Sequence, residues 1–255
     1  MTQDKPQIAL ITGASRGLGK NTALTLAKKG VNVIVTYQNS GEEAKSVVSA
    51  IASIGAQAVA LQLDTANTKT FDSFVEQVKQ SLQDKWQTEH FDFLVNNAGT
   101  GIHASFADTT EDDFDRLMNI HVKGVFFLTQ KLLPLINDGG RIINISSGLA
   151  RFTLPGYSAY ASMKGAIEVL TRYMAKELGP RQITVNTIAP GAIETDFNGG
   201  AVRDNPDINS FIAAQTALGR VGIPDDIGGA IASLLSAENR WVNGQRIEVS
   251  GGQFI

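Results

Sequence analysis

Short runs of β-branched and apolar residues recur along the chain, separated by longer stretches whose apolar residues follow helical spacing. The runs fall at Ile8 to Thr12, Val31 to Thr36, Ala58 to Asp64, Phe91 to Asn96, Arg141 to Ser146, Ile183 to Ile188 and Arg246 to Val249. Within them the apolar character is nearly continuous rather than alternating, which is the pattern of strands covered on both faces. Helices are predicted at 18–29, 41–54, 68–85, 111–133, 158–178 and 225–236. The first stops at Gly30, where a left-handed terminal residue costs least. Strands that alternate with helices need crossover connections. The expected fold is therefore α/β, a single-domain Rossmann-like doubly wound parallel sheet of about seven strands with helices on both faces. Residues 1–255 read as one domain, and the stretch from Asp196 to Gly219 shows no clear period. Loops of that length in a compact domain often serve as lids or binding loops.

Composition removes several function classes. The 255 residues include no Cys, which excludes a disulfide scaffold and any thiol nucleophile. Lys and Arg number 22 against 25 Asp and Glu, so the net charge of -3 offers no basic excess for a nucleic-acid backbone. The five-residue run before Gly13 is too short for a signal peptide, and no apolar run approaches a membrane span. A soluble, cytoplasmic protein is expected.

In doubly wound sheets ligands bind outside the carboxyl ends of the strands. Here those ends carry Gly13 to Gly19, Tyr37 to Ser40, Asp64 and Thr65, Asn97-Ala98-Gly99, Ser146-Ser147 and Ala189-Pro190-Gly191. Small, hydroxylic and amide side chains suit close backbone contact with a polar ligand. The first turn, Thr12-Gly13-Ala14-Ser15-Arg16-Gly17-Leu18-Gly19, leads from a strand into a helix. Its glycines let the main chain approach a pyrophosphate at the helix N-terminus. The spacing is G-x-x-x-G-x-G rather than G-x-G-x-x-G, and glycines that merely serve the turn would look the same. Gly13 to Gly17 also matches the G-x-S-x-G nucleophile elbow of α/β-hydrolases. That triad needs a later acid and then a His, yet the last histidine, His121, lies in the first half of the chain.

No Asp or Glu stands between Gly19 and Glu42, where a carboxylate would bind the ribose hydroxyls of NAD. A 2′-phosphate would meet no repulsion there. Arg16 is placed to pair with it, and Asn39 and Ser40 to donate hydrogen bonds, so NADP(H) is favoured over NAD(H).

Tyr160 and Lys164 stand four residues apart, on one helical face, and Ser147 ends the fifth strand near the same sheet edge. A packed tyrosine beside a solvated lysine would show the same spacing. The chemistry the three suit is carbonyl reduction, because hydride arriving at a carbonyl carbon leaves charge on oxygen. Tyr160 would donate the proton, a nearby ammonium at Lys164 would lower the phenol pKa, and Ser147 would hold the substrate oxygen.

Taken together, "TGASRGLG", "NNAG" at Asn96 to Gly99, "ISS" ending at Ser147, "YASMK" at Tyr160 to Lys164, "APGAIET" at Ala189 to Thr195 and "NGQRIEVSGG" resemble the short-chain dehydrogenase/reductase family over essentially the whole chain. The resemblance implies Tyr160 as the acid/base, Lys164 on the nicotinamide ribose and Ser147 on the carbonyl. It implies Asp64 and Thr65 facing the adenine, and Asn97, Ala98 and Gly99 supporting the sheet and the ribose side. Pro190, Gly191, Ile193 and Thr195 would contact the nicotinamide end, and residues 196–219 would close over the substrate. Members are commonly homotetramers through the helices corresponding to 111–133 and 158–178.

One position departs from the family. It usually places an Asn three residues ahead of a Gly in the helix before the fifth strand, holding a water that links the Lys to solvent. In "MNIHVKG" that place is His121, not Asn119. His121 is expected to take over the relay and, titrating near pH 6.5, to add a pH dependence. The remaining features look structural. Thr110 to Asp113 reads as a helix cap, and His90, His103 and His121 lack ligand spacing, so no catalytic metal is expected.

The expected activity is an NADP(H)-dependent interconversion of a small-molecule carbonyl and a secondary alcohol. "PGAIETDF" and "GQRIEVSGG" resemble the 3-oxoacyl-acyl-carrier-protein reductase branch, although Asn137 and Asp138 stand where that branch commonly carries basic residues. Leu149, Phe152, Leu154 and Tyr157 suggest a partly apolar pocket. A dinucleotide-binding regulator that turns nothing over is the reading from a different class, and the intact Ser147, Tyr160 and Lys164 argue against it.

Overall fold

The computed structural model describes residues 6–255. Seven strands form one all-parallel sheet in the order β3-β2-β1-β4-β5-β6-β7. They are β1 Ile8–Ile11, β2 Asn32–Tyr37, β3 Ala58–Gln62, β4 Phe91–Asn96, β5 Ile136–Ile145, β6 Thr184–Pro190 and β7 Arg246–Val249. Among the described residues nine α-helices connect them: α1 Gly17–Ala27, α2 Gly41–Ser53, α3 Phe71–Trp86, α4 Glu111–Met118, α5 Gly124–Leu132, α6 Ser158–Glu177, α7 Ala201–Asp204, α8 Pro206–Ala214 and α9 Pro224–Leu234.

Alternate residues of each strand feed opposite cores. Ala9 and Ile11 of β1 join Val33, Val35, Phe93 and Val95 beneath α1, α2 and α9. Ile8 and Leu10 face Ile34, Leu94 and Ile142 beneath α3 and α5. Both faces are dry, which accounts for the near-continuous apolar runs. β5 begins five residues before the expected start because Phe91 of β4 pairs with Ile136 ahead of a register shift.

Two helical expectations change. The helix expected over 111–133 is interrupted by a π-helical turn, Asn119–Lys123, in which the amide of Gly124 bonds back to Asn119 O. Such turns favour functional positions. This one holds His121. The aperiodic stretch after Asp196 is largely helical, containing a 3₁₀ turn at Phe197–Gly200 and then α7 and α8. Gly200 is left-handed and Asn205 caps α8 through Asp207 N and Ile208 N, so each helix is too short to print a period. At the start of α4, Thr110 caps Asp113 N as expected, 3.1 Å away.

A buried polar seam runs under the centre of the sheet, unforeseen in the sequence. Asn96 donates to Thr129 and Asn144, Asn144 donates to Thr171, and Thr187 donates to Thr171, at 2.7 to 3.0 Å. It ties β4, β5 and β6 to α5 and α6 where an apolar core would leave their spacing to packing alone. No helix among the described residues is long and apolar enough to cross a membrane.

Candidate active site

Strand order reverses between β1 and β4, the switch point beyond whose carboxyl ends doubly wound sheets bind their ligands. The two loops there are laced together. Thr12 Oγ1 accepts from the amides of Asn97 and Ala98 at 2.9 Å, and Asn97 Nδ2 donates to Thr12 O and Gly13 O. Gly13 is left-handed, and a Cβ on Gly19 would strike Gly13 O and the Asn97 side chain. The first turn therefore packs more closely than any side chain at Gly19 would allow, and a Cβ on Gly17 would come within 3.9 Å of Thr195. Ser15 is buried and Leu18 packs on the core, while Arg16 sits exposed at the N-cap of α1. Among the described residues no carboxylate pairs with Arg16. At the end of β2, Tyr37 lies against Gly41, Asn39 is exposed and Ser40 is half-buried ahead of α2.

The other predicted contacts line the same edge of the sheet. Asp64 is half-buried and bonds Ala66 N within its own turn, while Thr65 O abuts Gly124 behind the π turn. Pro190 ends β6, and Gly191 N donates to Val249 O. Ile193 bridges to Gly222, and Thr195, 9% exposed, accepts from Phe197 N. That last bond brings the 3₁₀ turn's Phe197 ring to 5.9 Å from the Tyr160 ring.

Ser147, Tyr160 and Lys164 come together. The Ser147 hydroxyl lies close enough to the Tyr160 phenol to draw its pKa down, and it accepts from Leu149 N at 3.2 Å. Lys164 Nζ donates to Ile145 O at 2.8 Å and lies 5.5 Å from the Tyr160 ring centroid. Burial dominates the electrostatics of all three titratable neighbours. It pushes the Tyr160 phenol up from 10.0, against the lowering pull of the Ser147 hydroxyl and with Tyr157 adding to the rise. The sequence-based expectation of a lowered phenol is thus reversed in the protein alone, because desolvation disfavours the phenolate more than its neighbours favour it.

Burial also brings Lys164 from 10.5 down to about 7. The unfolded lysine keeps its proton up to about pH 10.5 whereas the folded one releases it above about 7, so folding strengthens as pH rises between those values. Tyr160, shifted upward from 10.0, acts only above about pH 10, and His121, shifted downward, only below about 6.5. We expect the urea midpoint of the protein alone to climb from pH 7 to 10 and the climb to disappear in Lys164→Met. A midpoint that is flat or falling over that window, or an unchanged climb in the variant, would contradict the assignment.

His121 is 2% exposed behind Gly99, and its ring stands edge-on to Tyr160 at 5.4 Å. Its Nε2 lies 2.7 Å from Thr100 O, and its buried Nδ1 has no partner among the described residues. Burial, then the Lys164 charge, lowers it to about 3. The expected titration near 6.5 is therefore corrected: the imidazole stays neutral through the working range, and a pH dependence from it is ruled out by desolvation.

Sequence reasoning missed the charges around this triad. Arg246, Glu168, Glu248 and Arg151 form a connected ladder beside Ser147. The only local signals were Glu168, one turn beyond Lys164, and the shared face of Arg246 and Glu248 on β7; their meeting across the fold is not local.

Two aromatic pairs involve the segment between Ser147 and Tyr160. His103 and Tyr157 stand 5.0 Å apart edge-on, and Phe152 and Phe254 4.8 Å apart. Phe152 lies against Gly148, next to Ser147.

Comparison with known proteins is consistent throughout. A family model described as "Enoyl-(Acyl carrier protein) reductase" matches residues 13–253. The "Hydroxynaphthalene reductase-like protein Arp2" of Metarhizium majus is 38% identical over 257 aligned positions, covering 96% of this chain and 94% of that protein. Among solved structures, the promiscuous reductase LugOII, which catalyses keto-reduction at C1 in lugdunomycin biosynthesis, superposes with a TM-score of 0.93 at 37% identity, covering 98% of both chains. The angucycline C-6 ketoreductase LanV, solved with bound NADP, gives 0.92 at 34% identity, covering 97% of this chain and 95% of its own. With the parallel seven-stranded sheet, the glycine turn and the Ser147–Tyr160–Lys164 cluster already in place, these matches show that the chain belongs to the short-chain dehydrogenase/reductase family and is an oxidoreductase of carbonyl and alcohol groups.

Proposed function

We propose that the protein is an NADPH-dependent ketoreductase in which Tyr160 donates the proton. The observation that carries this reading is the buried Tyr160 with Lys164 Nζ 5.5 Å from its ring centroid, on the helix that follows Ser147 beyond the end of β5. NADP(H) is the cofactor: Gly13 and Gly19 let the first turn pack tightly on Ala98 and Asn97, Gly17 leaves its surface bare of a side chain, Arg16 carries no carboxylate partner among the described residues and stands ready for a 2′-phosphate, and LanV was solved with bound NADP. When bound, the cofactor supplies hydride to the carbonyl carbon. Arg16, Asn39 and Ser40 would hold the phosphate end and Tyr37, Asp64 and Thr65 the adenine side. Asn97, Ala98, Gly99 and the Lys164 ammonium would hold the nicotinamide ribose, and Pro190, Gly191, Ile193 and Thr195 the nicotinamide.

The residues then divide the work. Ser147 orients the carbonyl oxygen toward the Tyr160 hydroxyl. Burial keeps that phenol protonated near neutral pH, so it can deliver its proton as charge develops on oxygen. His121, neutral, offers Nδ1 as an acceptor in a relay behind Lys164. The rings of Phe152, Tyr157, Phe197 and Phe254 favour a flat, multi-ring ketone as substrate, in keeping with LugOII, LanV and the hydroxynaphthalene-reductase-like relative. Exposed Phe126 and Phe127 on α5, and Val169 and Tyr173 on α6, suit assembly as a homotetramer through those helices.

The test is nicotinamide absorbance with NADPH or NADH against three substrates: a bicyclic aryl ketone, a small aliphatic ketone and a 3-oxoacyl thioester. We expect NADPH oxidation, fastest with the bicyclic ketone. Preference for the thioester would place the protein in the acyl-carrier branch, and tight NADPH binding without turnover of any ketone would mark a regulator.

A further inference from the structure

Resting on the reading that Ser147 orients the carbonyl, we propose that Arg246 is a positioning residue for Ser147, locking its main chain to the helix that carries Tyr160 and Lys164. Ser147 lies beyond the end of β5 and opens a 3₁₀ turn in extended conformation. No strand ladder holds it. Its carbonyl accepts from Ala150 N inside that same turn and, from outside it, from Arg246 Nη2 at 3.3 Å.

The remaining donors of Arg246 are committed in opposite directions. Nε donates to Glu168 Oε1 at 2.6 Å and Nη1 to Glu248 Oε2 at 2.8 Å. Glu168 Oε1 also accepts from Ser146 Oγ at 2.7 Å, and Ser146 Oγ lies 3.3 Å from Lys164 O. A single carboxylate thus gathers the residue before Ser147, the turn of α6 after Lys164, and Arg246. On the other side Glu248 takes two bonds of 2.7 Å from Arg151, which also donates to Gln253 O and Phe254 O.

The arrangement is stiff for physical reasons. The side chains of Arg246, Glu168 and Glu248 are 22%, 14% and 18% exposed, so their attraction is poorly screened. Their two arginines hold Glu248 near 2 although its partial burial pushes the other way. A planar guanidinium can serve three acceptors in fixed directions, which an ammonium cannot. Displacing a positioning contact by an ångström costs up to about 100-fold in rate, and Ser147 is a residue for which such a shift matters.

The experiment compares Arg246→Met and Arg246→Lys with Ser147→Ala in the full-length protein. A control, Arg181→Met, removes an arginine that likewise bonds main-chain carbonyls, Leu133 O and Ile136 O, remote from the site. Arg246→Met should lower kcat about tenfold while leaving the KM for NADPH within about twofold, with Arg246→Lys intermediate. Arg181→Met should lower the melting temperature at wild-type kcat. In a crystal structure of Arg246→Met the Ser147 hydroxyl should have left Tyr160. Wild-type kcat in Arg246→Met, or kcat and NADPH KM worsening together, overturns the proposal. So does a Ser147 that keeps its wild-type place beside Tyr160 in the variant crystal, whatever the turnover. Failure of the functional reading shows separately, as Ser147→Ala with wild-type kcat; the crystal position of Ser147 then still decides the role of Arg246.

Discussion

Tyr160→Phe should lose about 100- to 10,000-fold in kcat for ketone reduction while binding NADPH as the wild type does. The range is what a positioned general acid contributes. The phenol is 7% exposed and packs with Leu117 and Met163, and phenylalanine preserves that packing. What disappears is the one phenolic O–H beside Ser147, held in its protonated form. Water is a poor substitute in so enclosed a place. Lys164 is no substitute either, since its Nζ lies 5.5 Å from the ring centroid and donates to Ile145 O. Single-turnover hydride transfer followed by nicotinamide absorbance, alongside a fluorescence titration with NADPH, measures the two quantities separately. Turnover within about threefold of wild type would remove Tyr160 from the proton-donor role.

Arg16→Glu should weaken NADPH binding by about 10- to 100-fold and NADH binding far less, a change of about 1.4 to 2.8 kcal/mol. Arg16 stands exposed at the N-cap of α1 and has no carboxylate partner among the described residues. Its charge adds to the positive end of that helix, whereas a glutamate there would cancel that field and repel a doubly charged phosphate. The 2′-phosphate is the only group that distinguishes the two cofactors, so the ratio of their dissociation constants isolates the contact. An equal loss for both would mean that Arg16 acts on the pyrophosphate instead. No loss would return it to the solvated surface.

The parts of this molecule that could be read from the chain are those governed by neighbours in sequence. Strand β1 and the Gly13 turn were legible because apolar residues, glycines and a helix start follow one another directly. Tyr160 and Lys164 were legible because one helical turn separates them. The π turn at Asn119–Lys123 was not, since its residues keep an ordinary helical pattern and the extra residue per turn is imposed by packing near Thr65 and Gly99. The pKa of His121 was misread for a related cause: a histidine's burial depends on the loop at Gly99 and on Lys164, which arrive from elsewhere in the fold. The Asn96–Asn144–Thr171 seam and the bond of Arg246 to Glu168 share that character, for they join residues 48, 27 and 78 positions apart.

The tail that follows β7 has a bearing on how the enzyme is made. Gln253 is 2% exposed, its Oε1 accepts from Ala192 N, and Phe254 N donates to Gln215 O. Those bonds fasten the end of α8 and the loop after β6 to the last residues of the chain. During synthesis β1 to β6 leave the ribosome before this strap, so the loop after β6 and the end of α8 gain their fastening only once Gln253 and Phe254 have emerged.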